Sequence, residues 1–344
     1  MSSDESGAPL RAHMMQLTWG SMVSQAISVA ADLGVVDALA AGPRRVDEIA
    51  TTVGADASSL YRLLRALGDV GVVEELDGRR FATTPLGDLL RSDVADSLRE
   101  WAIMVGRPFH RMAWTGLLGG VRTGEPAFEQ VHGASCWDHV RDQAEDGRII
   151  DAAMTVASSR SLAAIAGEYD FGAAGMVVDV GGGRGGLIAA ILAANPGVRG
   201  VLFDLPHVVA GQIVEATGVG DRCEYIGGSF FEEVPAGGDV YVLANIIHDW
   251  DDERAAEILR NCGNAMKPGG RILLAEAVLP DTLEASPAKL MDLEMLVMNV
   301  RGARQRTATE YRELFTRAGL QMSGIVDRIG PFDLVEAVAT ERCG

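Results

Sequence analysis

Two apolar periods run through this chain. Short β-branched and aliphatic runs stand at 177–180, 201–203, 239–245 and 271–276. Segments with apolar residues three or four apart lie among them, at 187–194 and around Ile258 and Leu259. Buried-strand runs alternating with amphipathic helices predict an α/β fold with a mainly parallel sheet covered on both faces. Two further runs, 321–326 and 334–338, predict a last strand pair, with Gly330-Pro331-Phe332 within their connection.

The N-terminal third has a different pattern. Residues 46–54 and 58–68 read as two short helices around the turn Ala55-Asp56-Ala57, with Asp56 or Ser58 as a cap. Residues 72–76 and 80–83 alternate like strands around Asp77-Gly78-Arg79, a hairpin turn. Two helices plus a hairpin make a winged helix. Residues 98–161 read as mostly helical, with Trp101, Met104, Phe109, Met112 and Trp114 as core or interface groups, a few of them beside a flat ligand. A further helix, 287–298, puts Met291, Met295 and Met298 on one face.

A winged helix raises the possibility of a transcription regulator. Its second helix offers only Arg62 and Arg65 as bases, amid Asp47, Glu48, Asp56, Asp69, Glu74, Glu75 and Asp77. Capturing phosphates needs a positive face, so charge argues against nucleic acid. The whole chain agrees: 344 residues carry a net charge of −18, which also opposes an anionic membrane surface. No apolar run approaches the roughly 18–20 residues that span a bilayer. Cys136, Cys223, Cys262 and Cys343 are scattered, which fits reduced thiols in a cytoplasm rather than a disulfide or zinc framework. Residues 1–9 are small and polar, and read as a tail rather than a signal peptide.

The candidate chemistry begins where the run at 177–180 meets Gly181-Gly182-Gly183-Arg184-Gly185-Gly186. Strand, glycine turn and helix in this order bind nucleotide-like cofactors. Gly181, Gly183 and Gly186 satisfy G-x-G-x-x-G, and Asp204 stands where an acid takes ribose hydroxyls. NAD and S-adenosylmethionine both carry a ribose, so these features do not choose between them.

The blocks that follow do choose. Asp179-Val180-Gly181-Gly182-Gly183, Phe203-Asp204-Leu205-Pro206, Gly228-Ser229-Phe230-Phe231, His248-Asp249-Trp250 and Pro268-Gly269-Gly270 resemble the S-adenosylmethionine-dependent O-methyltransferases of secondary metabolism. These include the plant caffeate type and bacterial enzymes of aromatic antibiotics. The likeness runs from about Met15 to Ala339. It implies a Rossmann-like class I methyltransferase domain preceded by a mostly helical winged-helix dimerisation domain. The boundaries expected are 12–98 for the dimerisation domain and 99–340 for a helical connector plus the methyltransferase domain. It also implies a homodimer, an aromatic small-molecule acceptor with a hydroxyl, and S-adenosylhomocysteine as product. Some of the apolar helix residues Leu17, Val23, Ile27, Leu33, Leu60, Leu63, Leu64 and Leu67 are expected to pack across the two-fold interface. The cofactor contacts it implies are Gly181, Gly183, Asp204, Leu205, Ser229, Phe230 and Asn245, with Met154 and Ser158 beside the methionine moiety.

A sulfonium already activates its methyl group, so no metal is expected. The acceptor must lose a proton, and histidine suits that task. His248 is the expected general base and Glu276 the carboxylate that orients it, with Gln305 as the third catalytic position. On this reading Glu276→Gln costs less than His248→Ala, because the imidazole keeps a partner. Asp251, Asp252 and Glu253 are expected to cap a helix rather than bind metal.

Three positions depart from the resemblance: Ser229 where relatives have Asp, Ala244 where many have Lys, and Gln305 where plant relatives have Glu. They keep open a family member turned to decarboxylation, hydroxylation or pericyclic chemistry. An NAD-dependent dehydrogenase is a further rival, but a fingerprint this far along the chain is unusual for one.

Overall fold

A computed structural model describes residues 7–94, 97–329 and 332–340. The chain divides into two compact units, Met1–Met112 with His139–Ala157, and Ala113–Asp138 with Ser158–Gly344. The helical stretch after residue 98 is thus shared between them.

In the first unit, helices Val46–Val53 and Ala57–Asp69 lie between the first and second strands of a three-stranded sheet. Its strands are β1 (Arg44–Arg45), β2 (Val73–Leu76) and β3 (Arg80–Thr83), in the order β1-β3-β2. Asp56 caps the second helix, accepting from the Ser59 N–H at 2.8 Å. Gly78 (φ 74°) and Arg79 (φ 57°) form the left-handed corner that the hairpin requires. Leu60, Leu64 and Leu67 are buried in this unit's own core with Ile49 and Phe81. They are therefore not available to a two-fold interface, which the sequence allowed. This unit's exposed apolar groups include Leu10, Met14, Leu17, Trp19 and Met22, on and just after the helix Gly7–Thr18. That helix starts inside the expected tail: Pro9 sits in its first turn, where a missing N–H costs nothing. Residues 1–6 lie outside the described residues.

The second unit holds a seven-stranded sheet. Its strands are β4 (Met176–Val180), β5 (Arg199–Asp204), β6 (Cys223–Gly227), β7 (Val240–Ala244), β8 (Arg271–Glu276), β9 (Leu320–Ile329) and β10 (Phe332–Ala339). The order is β6-β5-β4-β7-β8-β10-β9. β4 to β8 run parallel, and β10 is antiparallel to both neighbours. Gly330 and Pro331, between the last two strands, lie outside the described residues.

Strand alternation builds two cores. Val178, Val180, Leu243 and Leu274 face the helices Asp252–Ala265 and Ala308–Arg317. Val177, Leu202, Val242 and Leu273 face the helix Gly186–Ala194. Strand order reverses between β4 and β7, and doubly wound sheets bind ligands beyond the carboxyl ends of strands at such a point. The glycine turn, Asp204, the His248 turn and Glu276 follow or end β4, β5, β7 and β8 there. Among the described residues, no helix is long and apolar enough to cross a membrane.

Candidate active site

The glycine turn is shaped by contact. Gly181 takes φ 69°, and a Cβ there would stand 2.5 Å from Ile246 Cδ1. Gly183 takes φ 59°, yet a Cβ there would meet nothing within 4 Å. Gly181 is thus required by the protein's own packing, and Gly183 leaves a backbone facing open space. The third left-handed glycine is Gly185 (φ 88°), while Gly186 opens the helix.

Asp204 ties β5 to this turn. Its Oδ2 accepts from the Gly183 N–H at 2.8 Å and its Oδ1 from the Leu205 N–H at 2.6 Å. Leu205 itself is about half exposed. Beneath the turn lies Asp179, which belongs to the matching glycine-turn block but was given no role of its own from sequence. Its buried carboxylate accepts from the Ile188 N–H at 3.2 Å. Burial pushes its pKa up to about 7, with Asp204 adding to the shift and the Ile188 N–H opposing it. A charged residue inside an apolar strand run was the signal available.

Ser229 and Phe230 follow β6. Ser229 Oγ accepts from the Phe231 N–H at 3.3 Å. The Phe230 ring borders the glycine turn and packs edge-on against Phe231 and Trp250. Asn261 Nδ2 donates to the carbonyls of Phe230 and Phe231, holding that loop in place. Asn245, just past β7, takes φ 57°, a conformation asparagine tolerates better than most residues. Met154 lies in the first unit, 43% exposed. The Ser158 side chain lies outside what is described.

His248 sits on the short turn Ile247–Asp249 after β7. Its Nδ1 is 2.5 Å from Glu276 Oε2. Glu276 is fully buried, and its other oxygen accepts from the N–H groups of Ile246 (3.1 Å) and Ile247 (2.8 Å). A carboxylate against Nδ1 makes that nitrogen the donor, so the neutral ring keeps its lone pair on Nε2. Burial alone would lower the His248 pKa. The Glu276 and Asp249 carboxylates outweigh it and push the value up to about 9, with Arg306 opposing them.

Asp249 was not singled out for this role. Its Oδ1 lies 3.3 Å from His248 Nε2 and accepts from Asn299 Nδ2. Burial raises its pKa, against His248 and Asn299. Asp251 caps the following helix, accepting from the Arg254 N–H at 2.9 Å, and Asp252 pairs with arginines. The neighbouring acids thus face different partners.

Gln305 is buried beside this turn. Its N–H donates to Asp292 Oδ1 at 2.8 Å, and its Oε1 is buried with no hydrogen-bond partner among the described residues. No hydrogen bond joins its side chain to His248 or Glu276 among the described residues. The structure therefore brings together His248 with Glu276, Asp204 with Gly183, and Phe230 with Gly181, and leaves the Gln305 side chain adjacent to the His248 turn with no hydrogen bond to His248 or Glu276 among the described residues.

These residues fit S-adenosylmethionine. Gly183 leaves open space beside a carboxylate at a strand end, and an aromatic ring flanks the same turn. The fold and this site define a class of protein, and comparison with known proteins agrees. Residues 114–321 match the O-methyltransferase domain, and residues 15–93 match the O-methyltransferase dimerisation domain. The chain belongs to the S-adenosylmethionine-dependent O-methyltransferases, in the bacterial antibiotic-biosynthesis family with an N-terminal dimerisation domain.

Among its relatives is the phenazine O-methyltransferase PhzM of Lysobacter antibioticus, 42% identical over 331 residues and covering 96% of each chain. Another is the aclacinomycin 10-hydroxylase RdmB of Streptomyces purpurascens, 36% identical over 336 residues, 94% of this chain and 89% of that one. The solved structure of CalO1, a methyltransferase of calicheamicin biosynthesis in its S-adenosylhomocysteine-bound form, aligns with a TM-score of 0.88 at 35% identity. It covers 98% of this chain and 100% of that chain.

Proposed function

We propose that this enzyme methylates a hydroxyl of an aromatic small molecule in antibiotic or other secondary-metabolite biosynthesis, with His248 as general base. The observation that carries this is the buried His248–Glu276 pair at the sheet edge that also holds the glycine turn and Asp204. Bound S-adenosylmethionine supplies a methyl group already activated by its sulfonium. The protein's part is to hold the acceptor in line with that methyl and remove its proton. Such positioning accounts for roughly 7–11 kcal/mol in the best intramolecular cases.

Glu276 holds Nδ1–H and leaves Nε2 to take the proton. A phenol has a pKa of about 10, close to that of His248, at about 9. The raised value makes the neutral imidazole a stronger base toward a phenol, and makes turnover rise with pH as that neutral form is populated. Gly181, Gly183, Asp204, Leu205, Ser229, Phe230, Asn245, Met154 and Ser158 are the proposed cofactor contacts, and Gln305, with its unpaired buried oxygen, completes the site. The boundaries 12–98 and 99–340 are proposed for the two domains. The exposed apolar face around Leu17 fits a homodimer interface.

A second reading rests on the hydroxylase relative and the departures at Ser229, Ala244 and Gln305: cofactor binding retained, with another reaction performed. One assay separates the two. The protein is incubated with methyl-labelled S-adenosylmethionine and a panel of phenolic metabolites, and products are read by mass. Labelled methyl ether supports the proposal. Acceptors converted without label, while S-adenosylhomocysteine still binds, would overturn it in favour of the second reading.

A further inference from the structure

Arg306 has no solvent exposure at all, which is unusual for a guanidinium. It lies just before the helix Ala308–Arg317, two residues beyond Arg304. Its Nη1 donates to the Ile247 carbonyl at 2.9 Å and its Nη2 to the Trp250 carbonyl at 2.8 Å. Its Nε and Nη2 both donate to Asp252 Oδ1, at 3.1 and 2.9 Å. The carbonyls it holds are those just before and just after the pair His248-Asp249. The His248 carbonyl itself accepts from the Arg304 N–H at 2.8 Å. On the other side, Glu276 takes the N–H groups of Ile246 and Ile247. The peptide groups around the imidazole are thus fixed from two directions.

We propose that Arg306 is a positioning residue for catalysis: its buried fork holds the turn that carries His248 in the orientation from which the imidazole accepts a proton. This rests on the reading of His248 as base. The fork matters because a planar guanidinium satisfies two carbonyls and a carboxylate at once, whereas an ammonium is a single point. The segment is anchored in turn: the Leu279 N–H donates to the Arg306 carbonyl at 2.9 Å.

The cation also acts on the proton. The charged groups facing His248 are Glu276 from β8, Asp249 from its own turn and Arg306 from this segment. Arg306 is the one that opposes the imidazolium. Removing its charge raises the His248 pKa and moves the alkaline rise in turnover to higher pH. Loss of packing alone has no such signature.

The test compares Arg306→Lys, Arg306→Met and His248→Ala in the full chain. It measures kcat, acceptor KM, S-adenosylhomocysteine affinity by calorimetry, and the pH profile. Arg306→Lys keeps the charge and loses the fork. Its kcat should fall about 10–100-fold, since a misplacement of about 1 Å costs on the order of 10²-fold. Its KM, product affinity and pH profile should stay near wild type. Arg306→Met should lose kcat and shift the rise to higher pH. Arg306→Lys with wild-type kcat overturns the proposal, as does a kcat loss matched by an equal loss of product affinity. If Arg306→Met does not fold, the Lys variant decides on its own. Near wild-type turnover in His248→Ala removes the base reading and this inference with it. An inactive His248→Ala beside a fully active Arg306→Lys removes this inference alone.

Discussion

Glu276→Gln exchanges one carboxylate oxygen for an NH2 group at a site with no solvent exposure. Two backbone donors, Ile246 N–H and Ile247 N–H, converge on Oε1 at 3.1 and 2.8 Å. They fix the amide oxygen of the glutamine there. The flipped amide would leave the buried Ile247 N–H and the part-buried Ile246 N–H without their acceptor, at about 1–3 kcal/mol for the buried one. The NH2 must then face His248 Nδ1, where a carboxylate oxygen stands at 2.5 Å. It donates to Nδ1, so the single proton of the neutral imidazole moves to Nε2. An Nε2 that already carries a proton cannot accept one from the acceptor.

This geometry changes the expectation drawn from sequence, in which Glu276→Gln was the milder variant. An inverted tautomer should cost about as much as losing the base, about 10²–10⁴-fold in kcat. The pH profile should move as well. Without the Glu276 charge, burial lowers the His248 pKa against weaker opposition, so its titration shifts to lower pH than in wild type. Single-turnover methyl transfer, followed from neutral pH to above the acceptor's pKa, reads both effects. Calorimetry with S-adenosylhomocysteine confirms that the cofactor site is intact. Near wild-type turnover in Glu276→Gln would refute the tautomer argument.

Three other expectations follow from the geometry. Gly181→Ala and Gly183→Ala should separate, although both demand a left-handed alanine at about 1–2 kcal/mol. The first also collides with Ile246 and should lower Tm further, whereas the second adds a methyl to open space and should weaken S-adenosylhomocysteine binding more than it lowers Tm. Folding stability should carry a His248 contribution. Its folded pKa, about 9, lies above the ordinary 6.5, so the contribution is complete below 6.5 and is lost as pH rises through 9. Over that window wild type should lose on the order of 3 kcal/mol relative to His248→Ala, and parallel denaturation curves would contradict this. Sedimentation should show a dimer that Leu17→Glu weakens, with no salt-sensitive shift of duplex DNA; a stable wild-type monomer would count against the assembly.

Much of this architecture was legible because strand and helix periods differ. The run 271–276 coincides with β8, and the glycine turn stands where the β-branched run ends. β6 was not read as a strand: it is an edge strand whose residues are half-buried or exposed, so Cys223-Glu224-Tyr225-Ile226-Gly227 shows no buried run. The site was legible in its residues but not in its bonding. Sequence order cannot show that two backbone N–H groups decide which end of residue 276 meets the imidazole. It also gave no reason to treat Arg306 differently from Arg304, because the carbonyls that single it out belong to a turn more than 50 positions earlier. Leu60, Leu64 and Leu67 were ambiguous for a related reason: an apolar helix face looks the same whether its own core or a second copy covers it.

The central claim is that His248 takes the acceptor's proton, and the pH–rate profile of His248→Ala tests it most directly. In a chemistry-limited assay with labelled S-adenosylmethionine and a phenolic acceptor, wild-type turnover should rise with pH through the titration of His248, near 9. His248→Ala should be slower at neutral pH by about 10²–10⁴-fold. It should lack that rise and regain activity only as the phenol ionises unaided, at a pKa of about 10. A His248→Ala enzyme that matches wild type at neutral pH, with the same profile, would contradict the account.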